Sequence, residues 1–359
     1  MILSFRWYGH DDPVTLEKIR QIPVVRGIVS ALYDVPVGDV WPLEKIQALK
    51  DSVEAKGFRL SAVESIPVHE HIKLGLEDCG RLTENYCQSV RNMGRAGIPV
   101  LCYNFMPVFD WTRSSLAMEL PDGSNCLAYA DEEVLKMDLS KGTRGLPGWS
   151  TGYDAGELRR LTDAYRELDT EGLWTNLERF LKKVVPAAQE AGVKMGIHPD
   201  DPPWPIFGLP RIIRDEASID RLLKIADAPH NGLSFCTGSL GVSPDNDIPK
   251  MVRKYSAAGR IHFAHIRNVT VSGPHGFNET AHPTECGSLD IAEIVRACVE
   301  TGFDGVMRPD HGRMIWNETG RPGYGLYDRA LGAMYLAGLW EAFERDRKPE
   351  DSRGTLSIS

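Results

Sequence analysis

No CxxC pair, no basic run and no long apolar stretch occurs in this chain of 359 residues, and each absence removes a class of protein. The seven cysteines (Cys79, Cys87, Cys102, Cys126, Cys236, Cys286 and Cys298) are odd in number and scattered. That pattern argues against a disulfide framework and for the reduced thiols of a cytoplasmic protein. The net charge of −9 is relieved by no Lys/Arg cluster, which makes nucleic acid a poor partner. No segment approaches the roughly 18 apolar residues of a membrane span. The opening MILSFRWYGHDD has no basic region followed by an apolar one, so no signal peptide is expected. There is no internal repeat, and no glycine-rich phosphate loop follows the first strand, which disfavours a doubly wound sheet. With 42% hydrophobic and 25% charged residues the balance is that of an ordinary globular domain.

What remains is an alternation of short apolar runs and longer helical patterns. The runs at 4–9, 23–29, 59–64, 99–104, 193–198, 231–236, 261–265 and 305–310 predict eight strands. Helices are expected over 43–57, 82–97, 177–192 and 289–302, the last with Ser288 as N-cap. Gly57, Gly97, Gly192 and Gly302 close those helices just before a strand, the C-cap pattern of helix-to-strand connections. Eight strands with helices between them predict a (β/α)8 TIM barrel over residues 1–345. Residues from about 105 to 175 exceed an ordinary loop and read as an insertion on the rim, a lid or a subunit contact after strand 4. The tail 346–359 reads as disordered.

Four strand ends carry metal-ligand chemistry: His198, Cys236, His265 and Asp310. Their separations of about 38, 29 and 45 residues suit successive β/α units, whose strand ends meet at one mouth. Singly, each has a plain explanation as a buried hydrophobe, a structural hydrogen-bonder or a helix cap. Together they predict one site for a divalent ion, and by donor softness zinc(II) or iron(II). Strand parity agrees: with the ligands turned inward, Val193, Met195, Ile197, Leu233, Phe235 and Met307 face the helices. Strand 261–265 fits less well, sending Phe263 inward with His265 and leaving His262 as a structural histidine among the helices.

Other groups stand near this mouth. His311 follows Asp310 and could act as general acid or base, or only orient the carboxylate. Pro322 and Gly323 would hold Tyr324 on a turn, where a phenol could exchange a proton. Arg308, Arg267, Asn268 and Asp200 are candidates for holding a hydroxylated, carboxylate-bearing small molecule. The segment FRWYG (5–9) and Glu64 also lie at strand ends, where ordinary packing or rim salt bridges explain them equally well.

Taken together, FRWYG, GIHPDDPP, SFCTGSLG, HFAHIRN, MRPDHG and RPGYG make the chain resemble the D-mannonate dehydratase family, from residue 4 to about 340. The resemblance implies a xylose isomerase-like TIM barrel that eliminates water from D-mannonate, giving 2-keto-3-deoxy-D-gluconate in hexuronate catabolism. It implies manganese(II) or iron(II) on His198, Cys236, His265 and Asp310, and an acid/base pair at His311 and Tyr324, with Tyr324 favoured as base. A sugar isomerase or epimerase on the same barrel, or a non-catalytic sugar-acid or metal-binding protein, are the rival readings. A homodimer is a further expectation.

Overall fold

The computed structural model describes residues 1–139, 148–150 and 153–347. In chain order its strands are β1 (Ile2–Arg6), β2 (Gly27–Ser30), β3 (Arg59–Glu64), β4 (Val100–Tyr103), β5 (Phe109–Thr112), β6 (Ser115–Glu119) and β7 (Asn125–Ala130). They continue as β8 (Gly148–Ser150), β9 (Lys194–Ile197), β10 (Asn231–Cys236), β11 (Ile261–Ile266), β12 (Val269–Val271), β13 (Gly276–Glu279) and β14 (Val306–Pro309). Eight of them close a parallel barrel in the order β1-β14-β11-β10-β9-β4-β3-β2. All eight expected barrel strands are present, though β1 and β2 are displaced along the chain from 4–9 and 23–29.

The helices follow from amphipathic spacing and local caps. Thr170–Ala191 buries Leu173, Leu177, Phe180, Leu181 and Val184 at three- and four-residue intervals. Each such side chain contributes about 1.5–3 kcal/mol of transfer free energy. Asp169 starts this helix by accepting a hydrogen bond from Gly172 N at 2.7 Å. Gly192 ends it in the left-handed region at φ 68°, where a side chain would be strained. The helix Ile291–Glu300 is capped by Asp290, which accepts from Glu293 N. Ser288 was the expected cap, but its hydroxyl instead accepts from Val271 N.

Inside the barrel the strands turn Val29, Ala62, Val100, Cys102, Phe263 and Val306 toward one another, a small apolar cluster separate from the main core. The expected inward Phe263 is part of it, and its ring lies 4.2 Å from that of His265, centroid to centroid. His262 faces the other way, buried, with its ring nitrogens 3.0 Å from the carbonyls of Met195 and Pro229.

Between β4 and the helix beginning at Thr170 the chain forms β5 to β8 and the helices Asp131–Val134 and Ala155–Arg166. Part of this segment, 140–147 and 151–152, lies outside the described residues, as does the expected tail beyond residue 347. One arrangement here was not foreseen. β6 and β7 join the hairpin β12–β13, which follows barrel strand β11, in a four-stranded antiparallel sheet of order β12-β13-β7-β6. Two rim excursions far apart in sequence thereby become one wall of the mouth.

Candidate active site

Strand register brings the functional groups to one level. Cys236 of β10 pairs with His265 of β11, and His265 with Arg308 of β14. His198 stands one residue past β9, tied by its backbone N–H to Tyr103 O at 2.6 Å. One ligand atom each of His198, Cys236 and His265 lies within 4.8 Å of the others. That is close to the span of donors held about 2.0–2.3 Å from a common ion. Asp310 stands beside this trio, its Oδ2 3.6 Å from Cys236 Sγ. Its other oxygen is drawn to Arg308 Nη1 at 2.7 Å.

The donors fit a divalent cation. His265 is fully buried, and neither of its ring nitrogens has a hydrogen-bond partner. An imidazole left dry and unpaired is unfavourable, and a metal ion would satisfy one of its nitrogens. Burial, reinforced by Arg308, holds this ring well below the usual histidine range, so it is the neutral form a ligand must be. At His198 burial opposes the charge, yet Cys236 and Asp310 push the group up to about 9. The mouth therefore attracts positive charge, which a bound cation would supply in place of that proton. A second group, Glu64, Cys102 and His265, is equally compact. Its carboxylate already faces Arg308 Nη2 at 3.0 Å and Arg6 Nη1 at 3.8 Å, which disfavours a further cation there. Burial works against the charge on Glu64, but Arg308, His265 and Arg6 bring it down to about 2.

His311 and Tyr324 come together, Nε2 to Oη at 2.7 Å. Gly323, at φ 76°, makes the turn that presents the phenol, and its carbonyl accepts from Gly312 N at 2.9 Å. The other ring nitrogen of His311 meets Glu279 Oε1 at 2.6 Å. Burial, with Tyr8 and Asp310 adding to it, raises Tyr324 well above the usual phenol value. Trp111, from β5 of the rim insertion, lies 5.4 Å from the His311 ring.

Behind His311 is a fully buried ionic cluster. Arg113 grips Asp201 with two bonds of 2.8 and 3.0 Å and reaches Glu279 at 2.8 Å. Arg267 bonds Asp201 at 2.7 Å and Glu279 at 2.5 Å. Two guanidiniums thus balance two carboxylates, as buried charges require. Gly238 makes room for it, since a Cβ there would stand 2.2 Å from Arg267 Nε.

A cavity of about 300 Å³ opens over these groups, lined by Arg6, Glu64, His198, Asp201, Arg308, Asp310, His311 and Tyr324 among others. Three of the four residues expected to hold a small molecule are not among its lining. Arg267 is turned onto the protein's own carboxylates, as above. Asn268 accepts from Val269 N and Leu289 N and donates to Pro283 O. Asp200 accepts from Ile212 N at 2.5 Å and Ile213 N at 2.9 Å, pinning the loop that follows His198. Its neighbour Asp201 is the one that reaches the cavity. Asp200→Ala should therefore lower stability by roughly 1–3 kcal/mol in denaturant unfolding and leave KM unchanged. A raised KM with unchanged stability would return Asp200 to the binding site. Arg308 does line the cavity, and so does Arg6, whose Nε and Nη1 make no hydrogen bond. Glu279, Arg113 and Arg6 carry no strand-end pattern distinct from packing, although Arg6 stood in FRWYG and Arg113 in the rim insertion, both segments already singled out.

The fold is a TIM barrel. An L-ribulose 3-epimerase structure superposes with a TM-score of 0.55 at 13% identity, covering 99% of this chain and all of that one. At that distance the likeness concerns the fold alone.

The chain belongs to the D-mannonate dehydratase family: the family's sequence model, D-mannonate dehydratase (UxuA), matches residues 1–350. It is 54% identical to the mannonate dehydratase of Streptococcus uberis over 348 residues, 97% of this chain and all of that one. The mannonate dehydratase of Streptococcus agalactiae serotype III is 53% identical over the same lengths. The crystal structure of mannonate dehydratase from Streptococcus suis serotype 2 superposes with a TM-score of 0.91 at 49% identity, covering 100% of this chain and 99% of that one.

Proposed function

We propose that this protein is a hydro-lyase that converts D-mannonate to 2-keto-3-deoxy-D-gluconate and water at the barrel mouth. The reading is carried by one juxtaposition: a cavity lined by two arginines and a hydrogen-bonded His–Tyr pair is also lined by His198, which belongs to a cation-ready trio with the buried Cys236 and His265. Full-length membership of the D-mannonate dehydratase family supports the substrate and the reaction. Held by His198, Cys236, His265 and Asp310, manganese(II) or iron(II) would act as a Lewis acid at the carboxylate end of the substrate.

The chain's own groups handle charge and protons. Arg308 and Arg6 hold the substrate carboxylate, in place of the Arg308–Arg267 pair expected from sequence. Tyr324 gives its phenolic proton to His311 Nε2 and takes the C2 proton of the sugar acid. His311 returns a proton to the C3 hydroxyl, the C3–O bond breaks and water leaves. The resulting 2,3-enol rearranges to the 2-keto acid, so one proton has passed from C2 to the departing water.

Arg6→Ala should raise KM for D-mannonate about 10–100-fold, the equivalent of the roughly 1.5–3 kcal/mol of a charge-assisted hydrogen bond, with bound metal unchanged. An unaltered KM would remove Arg6 from substrate binding.

The test of the function is turnover of D-mannonate after chelation and separate reconstitution with manganese, iron, zinc and magnesium. A 3-deoxy-2-keto acid is expected as product. An epimeric aldonate would mean epimerase chemistry, and an unchanged ligand a binding protein. All seven cysteines are free, which supports a cytoplasmic enzyme. Among the described residues no helix is long and apolar enough to cross a membrane. A homodimer, for which the rim insertion offers a contact surface, is checked by light scattering.

A further inference from the structure

We infer that Glu279 is a positioning residue for the proton transfer, holding His311 with a proton on Nδ1 and with Nε2 turned to Tyr324. The kinetic consequence rests on the dehydratase reading above, whereas the tautomer rests on geometry alone. Glu279 Oε1 and His311 Nδ1 are 2.6 Å apart, too close for two lone pairs to face each other, so a hydrogen lies between them. The carboxylate has none to lend. It is ion-paired with Arg113 at 2.8 Å and with Arg267 at 2.5 Å, and both groups are fully buried with it. The hydrogen therefore belongs to the ring.

One contact argues the other way. Arg267 Nη1 approaches His311 Nδ1 to 3.1 Å and would donate to it if that nitrogen were bare. A bare Nδ1 would still face the Glu279 lone pairs at 2.6 Å, and that repulsion outweighs a longer bond from an Nη1 whose nearer, charged partner is Glu279 Oε1. With its one proton on Nδ1, the neutral ring leaves Nε2 to accept the Tyr324 hydroxyl at 2.7 Å. Turning the ring over would break both bonds at once, which is how an outer carboxylate fixes a working imidazole.

Glu279 does not belong to the barrel. It ends β13, whose register pairs Val269 with Glu279 on one side and Asn278 with Ala128 of β7 on the other. Arg113, which clamps it, comes from the residues just before β6. Both rim excursions thus meet on His311, and the wall they form reaches into the proton-transfer pair.

Nitrogen-15 spectra of labelled histidine in the full chain with zinc bound read the tautomer directly. A proton on His311 Nδ1 is expected, and a bare Nδ1 would overturn the inference, whether or not the protein acts on D-mannonate. Failure of the wild type to turn over D-mannonate would count against the dehydratase reading and leave the spectrum to decide this one. In kinetics, Glu279→Gln should lower kcat about 10–100-fold while KM stays within about twofold and metal stoichiometry holds. Unchanged kcat, or a fall that follows lost metal, would make Glu279 merely structural. If that variant does not fold, Arg113→Gln with Glu279→Gln restores the charge balance and is read in the same way.

Discussion

His311→Asn should lower turnover of D-mannonate by about two to four orders of magnitude, the usual worth of a positioned acid or base, with bound metal unchanged. Asparagine roughly keeps the reach of the Nδ1 side, so Glu279 retains a donor, but nothing replaces Nε2 opposite Tyr324 Oη. The proton released by the phenol then has no acceptor. Tyr324→Phe removes the other end of the same 2.7 Å bond and should reach a similar floor. Combining the two should cost little more than either alone, because groups acting as a unit are non-additive. Loss of metal in the His311 variant would assign that residue to the ligand set, and full activity in Tyr324→Phe would exclude the phenol from proton transfer.

Cys236→Ala should abolish tight metal binding and, with it, turnover. The loss of affinity should exceed the roughly 10–100-fold that removing an outer partner of a ligand brings. The thiolate is the one anionic donor of the compact trio, and the nearby carboxylates are both engaged by Arg308, Asp310 at 2.7 Å and Glu64 at 3.0 Å. Without the sulfur, two imidazoles remain with carboxylates whose charge is already spent on arginine, a much weaker set for a divalent cation. Metal analysis after dialysis, with D-mannonate turnover in parallel, reads both effects. Retention of one equivalent of metal would sink the assignment of Cys236 as a ligand. Fold should survive, since the residue also caps only a short helix, Thr237–Gly241.

The barrel and the convergence of His198, Cys236 and His265 at its mouth were legible because period and parity act over four to six residues. A run such as LSFC ends in a polar residue whose direction is fixed by the apolar ones before it. Beyond the strand that rule lapses. Arg267 and Asn268 follow β11 by one and two residues, so nothing in HIRN tells whether they face ligand or protein. Likewise Asp200 and Asp201 are chemically identical neighbours on a proline-rich loop, and tertiary bonds to Ile212, Ile213, Arg113 and Arg267 sort them. Glu279 and Arg113 were invisible for a different reason: their partners lie 166 residues apart in the chain, joined by a sheet that two separate excursions build together.

The six side chains that plug the cylinder beneath His265 have a consequence for traffic. The hydroxyls buried around them, Ser4, Ser61 and Ser234, are spent on backbone carbonyls and hand no solvent downward, so sugar acid, keto acid and the freed water molecule must all use one doorway. Departure is then sequential, and a bulky product still seated at the entrance would delay the small one behind it.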